Sequence, residues 1–258
     1  MNDKFYIWSG VYKNFDDAKE YSCGDGFESK DYSLRLRKEI SELKLSQDNF
    51  QDLPFRNIMR FSSLESIVSL LMDRKKSSIS IVDFGGGYGN LFFYLKKQIF
   101  LGHDIEFKIA ELPGVERFAR ETLGDLISEI EYVSLDDFKN IQCDILVTSS
   151  AIQYLKDWKE GLSNFALLRP KYIFFADVFC GNISTFVSLQ NYYESKIPQW
   201  FLNQDEFVNT VTSHGFKLLS SSVCTAERNS HFTFLDMSNF PQNLQLKYTR
   251  NFLFKANS

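Results

Sequence analysis

The stretch DFGGGYG at residues 83–89 decides how the chain is interpreted. It ends an apolar, β-branched run, ISIVDF at 79–84, and a helix-like segment, NLFFYLKKQIFL at 90–101, comes directly after it. Alternate glycines allow a tight turn and bring the backbone close to a ligand. The helix after the turn offers unpaired N–H groups in its first turn. The stretch therefore predicts a strand, a glycine turn and a helix, with a ligand site at the turn.

Strands and helices alternate over the rest of the chain. The predicted strands are IEFKIA at 105–110, IEYVS at 130–134, CDILVTS at 143–149, YIFFADV at 172–178, GFKLLSSSV at 215–223 and YTRNFLFK at 248–255. The predicted helices between them cover 114–128, 157–168 and 204–213, and another precedes the glycine turn at 63–73. This alternation predicts an α/β fold with a doubly wound, mostly parallel sheet. The last two strands, which have no helix between them, suit an antiparallel edge pair.

The first 60 residues differ in character from the rest of the chain, because they are polar and charged. They predict helices at 14–21, with Asn14 as the N-cap, and at 32–43. We therefore expect an N-terminal helical extension or cap over 1–60 and the main domain over 61–258. The extension could cover a cofactor and build the acceptor pocket, or form a homodimer contact. Trp8 and Tyr12 could stack on a bound ring or pack onto the main domain.

Composition narrows the functional class. The net charge is −4, which is unlike a protein dominated by nucleic-acid backbone binding. The N-terminus lacks a signal-peptide apolar stretch, and no apolar run approaches the ~18 residues of a membrane span. Four scattered cysteines and three histidines form neither a disulfide framework nor a metal pattern. We expect a cytoplasmic protein without a metal, a nucleic-acid partner or a membrane span.

Glu111 is the second functional signal. It directly follows the strand at 105–110 and lies 22 residues after Gly89. An acid at this place can accept hydrogen bonds from both hydroxyls of a ribose. The alternative is an acid that merely starts the helix beginning with Leu112-Pro113. A dinucleotide fingerprint starting at Gly85 would need glycine at position 90, where the chain has Asn90.

Other candidate residues follow the remaining strands, where ligands of open α/β sheets bind. Asp136 could meet an adenine amino group, although it or Asp137 could instead cap a short helix. The cofactor-binding candidates together are Asp83, Gly85, Gly86, Gly87, Gly89, Glu111, Leu112, Asp136, Ser150 and Gln153. The candidates for a general base are Asp177, Tyr154 and His231, and those for binding a polar acceptor are Gln190 and Asn191. The alternatives are capping for Asp177, core packing for Tyr154, an exposed turn for Gln153, a surface position for His231 and a helix surface for Gln190 and Asn191.

The motifs together resemble class I S-adenosylmethionine-dependent methyltransferases over residues 63–258. DFGGGYG is similar to the first motif of that family, and Glu111 matches its ribose-binding acid. CDILVTSSAIQYL at 143–155 and LRPKYIFFADV at 168–178 resemble its fourth-strand and fifth-strand motifs. The resemblance implies S-adenosylmethionine as cofactor. It also implies a seven-stranded sheet whose seventh strand is inserted antiparallel.

A narrower resemblance concerns the chain's first residues. IWSGVY at 7–12 and GDGF at 24–27 look like the opening of a group of bacterial methyltransferases. LQN at 189–191, Pro198 and NQDEF at 203–207 are similar to a later segment of the same group. The group is often associated with surface-polysaccharide gene clusters. The resemblance implies membership of this group but says little about the chemistry.

Three functions fit the residues. The first is a methyltransferase that acts on a small molecule or a glycan. The second is an NAD(P)-dependent oxidoreductase, against which stand Asn90 and the lack of a Tyr-x-x-x-Lys pair after the fourth strand. The third is a non-catalytic protein that binds S-adenosylmethionine or a nucleotide.

Overall fold

The computed structural model describes residues 4–29, 32, 34–35, 64, 68, 78–98, 104–224 and 234–257. The predicted helix at 32–43 is described only at its first residues, and that at 63–73 only at Leu64 and Val68, which are both buried. His231 lies outside the described residues. In the part of the chain that is described, no helix is long and apolar enough to cross a membrane.

The described elements follow one another in a mixed order of strands and helices. They are β1 (Trp8–Tyr12), α1 (Phe15–Lys19), β2 (Ser78–Phe84), α2 (Asn90–Gln98), β3 (Asp104–Ala110), α3 (Pro113–Leu123), β4 (Ile130–Val133), β5 (Ile145–Ser149), α4 (Trp158–Leu167), β6 (Tyr172–Val178), β7 (Cys180–Gly181), β8 (Phe186–Tyr192), β9 (Ser195–Asn203), α5 (Gln204–Ser213), β10 (Phe216–Cys224) and β11 (Thr249–Ala256). Short 3-10 turns at Gly26–Glu28 and Ile152–Tyr154 matter for the site.

Seven strands form the main sheet in the order β10-β11-β6-β5-β2-β3-β4. Strands β2 to β6 within it are parallel to one another. β11 is inserted between β6 and β10 and runs antiparallel to both. The predicted mostly parallel sheet is confirmed, and so is the antiparallel strand implied by the family resemblance.

Helices cover both faces of this sheet, as a doubly wound fold requires. Successive residues of β2 point to opposite faces of the sheet. Ile81 belongs to the apolar cluster that includes residues of α2 and α3, whereas Val82 belongs to the cluster that includes residues of α4 and α5. Both residues are fully buried. Parallel strands that are buried on both faces are mostly apolar along their length, and the polar side chains able to meet a ligand lie at their carboxyl ends. Polar groups therefore gather at that edge, where the site lies.

A second, four-stranded sheet in the order β1-β8-β9-β7 was not predicted. β1 pairs antiparallel with β8, and a tight hairpin joins β8 to β9. The alternative that Gln190 and Asn191 lie on a helix surface is therefore wrong, because both lie in β8. The N-terminal extension, expected to be helical, also contributes a strand at Trp8–Tyr12.

The described part of the N-terminal segment is attached through aromatic packing. Trp8 is 1% exposed, and its ring lies 5.3 Å from that of Phe179 and 5.8 Å from that of Phe201. Asn14 caps α1 as predicted, because its side-chain oxygen accepts a hydrogen bond from the Asp17 N–H at 2.9 Å. Of the two interpretations of Trp8, the structure shows packing onto the rest of the chain.

Candidate active site

The glycine turn lies against two neighbouring elements. Gly85, Gly87 and Gly89 have φ angles of +71°, +61° and +95°, which disfavour other residues. A Cβ added to Gly85 would lie 2.5 Å from the Cβ of Ala151, and one added to Gly89 would lie 2.7 Å from Ile130 Cδ1. A Cβ added to Gly87 would meet nothing within 4 Å among the described atoms. The turn is therefore packed at both ends and open in its middle.

The Glu111 carboxylate lies beside the open part of the turn. The Gly87 N–H donates a hydrogen bond to its Oε1 at 3.2 Å, and the Leu112 N–H donates one to its Oε2 at 2.6 Å. Burial raises the pKa of Glu111, and these two hydrogen bonds oppose that shift. Leu112, which immediately precedes α3, is half-buried at the same place. The arrangement brings together backbone amides and a carboxylate, which suits a hydroxyl-bearing ligand.

Asp83 lies beneath the turn at the end of β2. It is 3% exposed, and a Cβ on Gly86 would lie 2.6 Å from its Oδ2. Among the described residues, none forms a hydrogen bond with Asp83 Oδ1. Burial, followed by the neighbouring charge of Glu111, raises the pKa of Asp83 well above its ordinary value. A donor group placed at this oxygen would stabilise the charged carboxylate.

Replacing Asp83 with asparagine should stabilise the ligand-free protein more at pH 8 than at pH 5. The raised pKa means that the folded protein holds a proton at Asp83 over a range where the unfolded chain has lost it. The contribution of Asp83 to the free energy of unfolding therefore falls as the pH rises above about 4, the ordinary pKa of an aspartate. Asparagine removes this loss. Each kcal/mol corresponds to about 2–4 °C in a domain of this size.

Thermal unfolding of wild-type protein and Asp83→Asn at both pH values measures this effect. The difference between the two proteins cancels other titrating groups. A gain in melting temperature that is the same at pH 5 and pH 8, or larger at pH 5, would contradict the prediction.

The acids after β4 separate in the structure. Asp137 stands at the start of a 3-10 turn, but its carboxylate accepts a hydrogen bond from Ser134 Oγ at 2.7 Å rather than capping that turn. Asp136 is exposed beside it. The structure thus leaves Asp136 at the expected edge, and its contact with an adenine stays a prediction.

Ser150 and Asp177 meet at the ends of β5 and β6. Their φ angles are +55° and +56°, a strained backbone for residues other than glycine. Ser150 Oγ and Thr249 Oγ1 each donate a hydrogen bond to one oxygen of the Asp177 carboxylate. The Asp177 N–H donates to Asn251 Oδ1 at 2.9 Å. Asp177, only 2% exposed, is therefore anchored from two strands.

The turn at Ile152–Tyr154 carries two further candidates from the motif at 143–155, which contains β5 and is called the β5 motif below. Gln153 is fully buried, and neither of its amide atoms has a hydrogen-bond partner in the described part of the chain. Tyr154 Oη donates to Gln190 Oε1 at 2.7 Å. The Nδ2 group of Asn191, in contrast, donates a hydrogen bond to the Tyr6 carbonyl oxygen at 2.8 Å and so attaches the N-terminal segment to β8. The structure brings Gln190 to Tyr154 but directs Asn191 elsewhere.

The N-terminal 3-10 turn Gly26–Glu28 extends across this region. The ring of Phe27 lies 4.9 Å from that of Tyr154. The Gly26 N–H donates to Ser195 Oγ at 3.1 Å, and a Cβ on Gly114 in α3 would lie 3.2 Å from Glu28 Oε1. One short turn thus contacts the second sheet, the β5 motif and the helix that follows Glu111.

Sequence reasoning assigned no role to two residues of this region. Phe27 belongs to the N-terminal segment, and Gln199 belongs to β9. Gln199 is fully buried and accepts a hydrogen bond from Trp8 Nε1 at 3.0 Å. No sequence signal marks it, because its environment is created by a strand 191 residues away in the chain.

Comparison with known proteins identifies the fold. No protein-family model matches the chain, and no curated protein sequence does. Among solved structures, magnesium protoporphyrin IX methyltransferase from Synechocystis PCC 6803, with bound S-adenosylmethionine, is similar with a TM-score of 0.53 and 11% identity, over 94% of this chain and 98% of that one. An S-adenosylmethionine-dependent methyltransferase from Clostridium acetobutylicum ATCC 824 gives 0.51 and 10%, over 85% and 99%.

A third similar structure is the 1,6-didemethyltoxoflavin-N1-methyltransferase of Burkholderia thailandensis, with bound 1,6-didemethyltoxoflavin and S-adenosylhomocysteine. It gives a TM-score of 0.51 at 13% identity, over 88% of this chain and 90% of that one. The chain therefore has the Rossmann-like fold of class I S-adenosylmethionine-dependent methyltransferases, as its motifs predicted.

Proposed function

We propose that the protein is an S-adenosylmethionine-dependent methyltransferase. The observation that carries the proposal is the contact between the Gly87 amide and the Glu111 carboxylate at the carboxyl ends of β2 and β3. An open α/β sheet binds its ligand at that edge. The fold, shared with methyltransferases that bind S-adenosylmethionine or S-adenosylhomocysteine, supports the same conclusion.

The described residues fit this cofactor. Glu111 would accept hydrogen bonds from the ribose hydroxyls, with Leu112 and Asp136 near the adenine. The glycine turn and Asp83, whose Oδ1 has no partner among the described residues, would hold the amino-acid part. Ser150 and Gln153 lie towards the reactive end. When bound, S-adenosylmethionine supplies an electrophilic methyl group on a positively charged sulfur, so that the acceptor's lone pair forms the new bond while the electrons of the S–C bond return to sulfur.

The protein's own contribution is positioning and, for a hydroxyl acceptor, removal of a proton. Tyr154 is the better placed of the two described candidates for contacting the acceptor, since it touches Gln190 and Phe27. Asp177 is buried and already accepts hydrogen bonds from Ser150 and Thr249. We assign Asp177 a positioning role through Ser150, and Tyr154 a direct one.

Two finer proposals concern the acceptor and the N-terminal segment. The acceptor is a small molecule or a glycan. The described part of residues 1–60 forms a cap that helps to build its pocket, which is supported by the contacts of Phe27 and Glu28. A cytoplasmic location and a homodimer stay predictions.

Calorimetric titration with S-adenosylmethionine, S-adenosylhomocysteine and NAD tests the proposal. We expect both adenosyl compounds to bind and NAD to give no heat, because the turn lacks the third glycine of the dinucleotide fingerprint. Binding of NAD without binding of S-adenosylmethionine would overturn the proposal. If S-adenosylmethionine binds, transfer of a labelled methyl group to any acceptor distinguishes an enzyme from a protein that only binds the cofactor.

A further inference from the structure

Gln199 presents a hydrogen-bond donor whose direction is fixed. Its side-chain oxygen accepts the Trp8 indole N–H at 3.0 Å. Because an indole nitrogen can only donate, this bond places the amide oxygen on the Trp8 side and the NH₂ group away from it. In the described part of the chain, no atom accepts a hydrogen bond from that Nε2, although the residue is fully buried.

The donor belongs to a network that leads to the glycine turn. Tyr154 Oη lies 3.4 Å from Gln199 Oε1 and 2.7 Å from Gln190 Oε1. The preceding residue, Gln153, is buried with both amide atoms unpartnered among the described residues. Ala151, two residues earlier, is the residue that a side chain on Gly85 would strike. Residues 151–154 therefore connect the glycine turn, next to Ala151, with Gln199, which Tyr154 contacts.

A buried polar group without a hydrogen-bond partner is costly, because it has lost its hydrogen bonds to water without replacement. Folded proteins leave few of them, and those that persist require an explanation. Three such atoms occur here, namely both amide atoms of Gln153 and the Nε2 of Gln199. Tyr154 follows the first of these residues in the chain and contacts the second. A ligand that supplies both acceptors and a donor accounts for all three.

The chemistry of the network is uncharged. Gln153, Tyr154, Gln190, Gln199 and Trp8 all carry neutral side chains. A carboxylate or phosphate would require arginine or lysine, and an ammonium group would require an available carboxylate. The Arg35 guanidinium is held at the Tyr192 hydroxyl, at 2.8 Å. The Asp177 carboxylate is held by two hydroxyls. An amide that offers a donor and an acceptor side by side matches neighbouring hydroxyl groups, which do both.

We propose that Gln199, oriented by Trp8, recognises the methyl acceptor together with Gln153, and that this acceptor is an uncharged molecule with neighbouring hydroxyl groups, such as a sugar ring. The inference rests on the proposed methyltransferase function. Gln153 thereby serves the acceptor rather than the cofactor, and Trp8 acts as a positioning residue.

The test uses protein saturated with S-adenosylhomocysteine and three methyl glycosides that differ in charge: the glucoside, the glucuronide and the glucosaminide. Binding is measured by saturation-transfer NMR. We expect the neutral glucoside to bind about 10-fold more tightly than either charged probe, which corresponds to about 1.4 kcal/mol. Gln199→Glu retains an oxygen for Trp8 but replaces the donor with a negative charge. It should weaken glucoside binding about 10-fold and make the glucosaminide the preferred probe.

Two further variants complete the design. Trp8→Phe removes the indole N–H and leaves only the longer hydrogen bond from Tyr154 Oη, at 3.4 Å, to orient the amide of Gln199. The preference for the glucoside should therefore fall while S-adenosylhomocysteine affinity stays unchanged. Gln242→Glu makes the same substitution at an exposed position and should change nothing. Thermal unfolding checks that each variant is folded.

Each outcome decides one proposal. Failure of the wild-type protein to bind the glucoside, or equal glucoside binding by wild type and Gln199→Glu, would overturn this inference. If S-adenosylhomocysteine itself does not bind, the methyltransferase proposal has failed instead, and its titration in the same samples separates the two cases.

Discussion

Replacing Glu111 with alanine is expected to weaken the binding of S-adenosylhomocysteine by about 100-fold or more. The carboxylate is the proposed acceptor for two ribose hydroxyls, and hydrogen bonds to a charged group contribute about 1.5–3 kcal/mol each. Loss of two such bonds corresponds to at least about 3 kcal/mol, or more than 100-fold in affinity. Calorimetric titration of the variant measures the change directly.

The controls separate binding from folding. Glu111 also accepts hydrogen bonds from Gly87 and Leu112 in the ligand-free protein, so its removal loosens the turn as well. Glu111→Gln keeps an oxygen that can accept one of these bonds, and we expect it to bind more tightly than the alanine variant. Glu121→Ala removes an exposed carboxylate from α3, the helix that follows Glu111, and should bind as the wild type does. Unchanged affinity in Glu111→Ala, with a normal melting temperature, would show that the ribose assignment is wrong.

Gly85→Ala is expected to lower the free energy of unfolding by about 2–5 kcal/mol and to abolish cofactor binding. An alanine at a φ of +71° costs about 1–2 kcal/mol in backbone strain. The added methyl group would lie 2.5 Å from Ala151 Cβ, which has no flexible end to move aside. Overpacking of this kind adds about 1–3 kcal/mol. Relief of the clash must move either the glycine turn or the turn that carries Gln153.

Gly215→Ala is the matched control for this effect. Gly215 also has a positive φ, +89°, but a Cβ there meets nothing within 4 Å among the described atoms. That variant should show only the backbone cost, and the difference between the two measures the clash. Denaturant unfolding gives both values. A Gly85→Ala variant no less stable than Gly215→Ala would contradict the packing described at the turn.

The main sheet was predictable because its strands carry strong local signals. The fifth parallel strand was expected at 172–178 and is found at Tyr172–Val178. The helix expected at 114–128 ends earlier, at Leu123, because Gly124 adopts a φ of +52° and a 3-10 turn comes next. Apolar runs flanked by glycine or proline specify such elements without help from distant parts of the chain.

The second sheet was not predictable for the opposite reason. β9 contains Pro198, which normally argues against a strand inside a sheet. β8 pairs with β1, which lies far away in sequence, since Trp8 faces Gln190. The sequence therefore identified Glu111 and the glycine turn, which depend on adjacent elements, but not Gln199 or Phe27. Those side chains gain their environment only when the N-terminal segment docks.

The pairing of β1 with β8 has a consequence for biosynthesis. Since a ribosome makes the chain from its N-terminus, Trp8 must wait until residues 186–203 have emerged before it can reach Gln199. The anchor of Asp177 comes later still, because Thr249 and Asn251 lie in the last described strand. Contacts between such distant residues form slowly. A nascent chain can thus build its central parallel strands first, and the proposed acceptor pocket is complete only after residues 186–203 and 249–251 have also emerged.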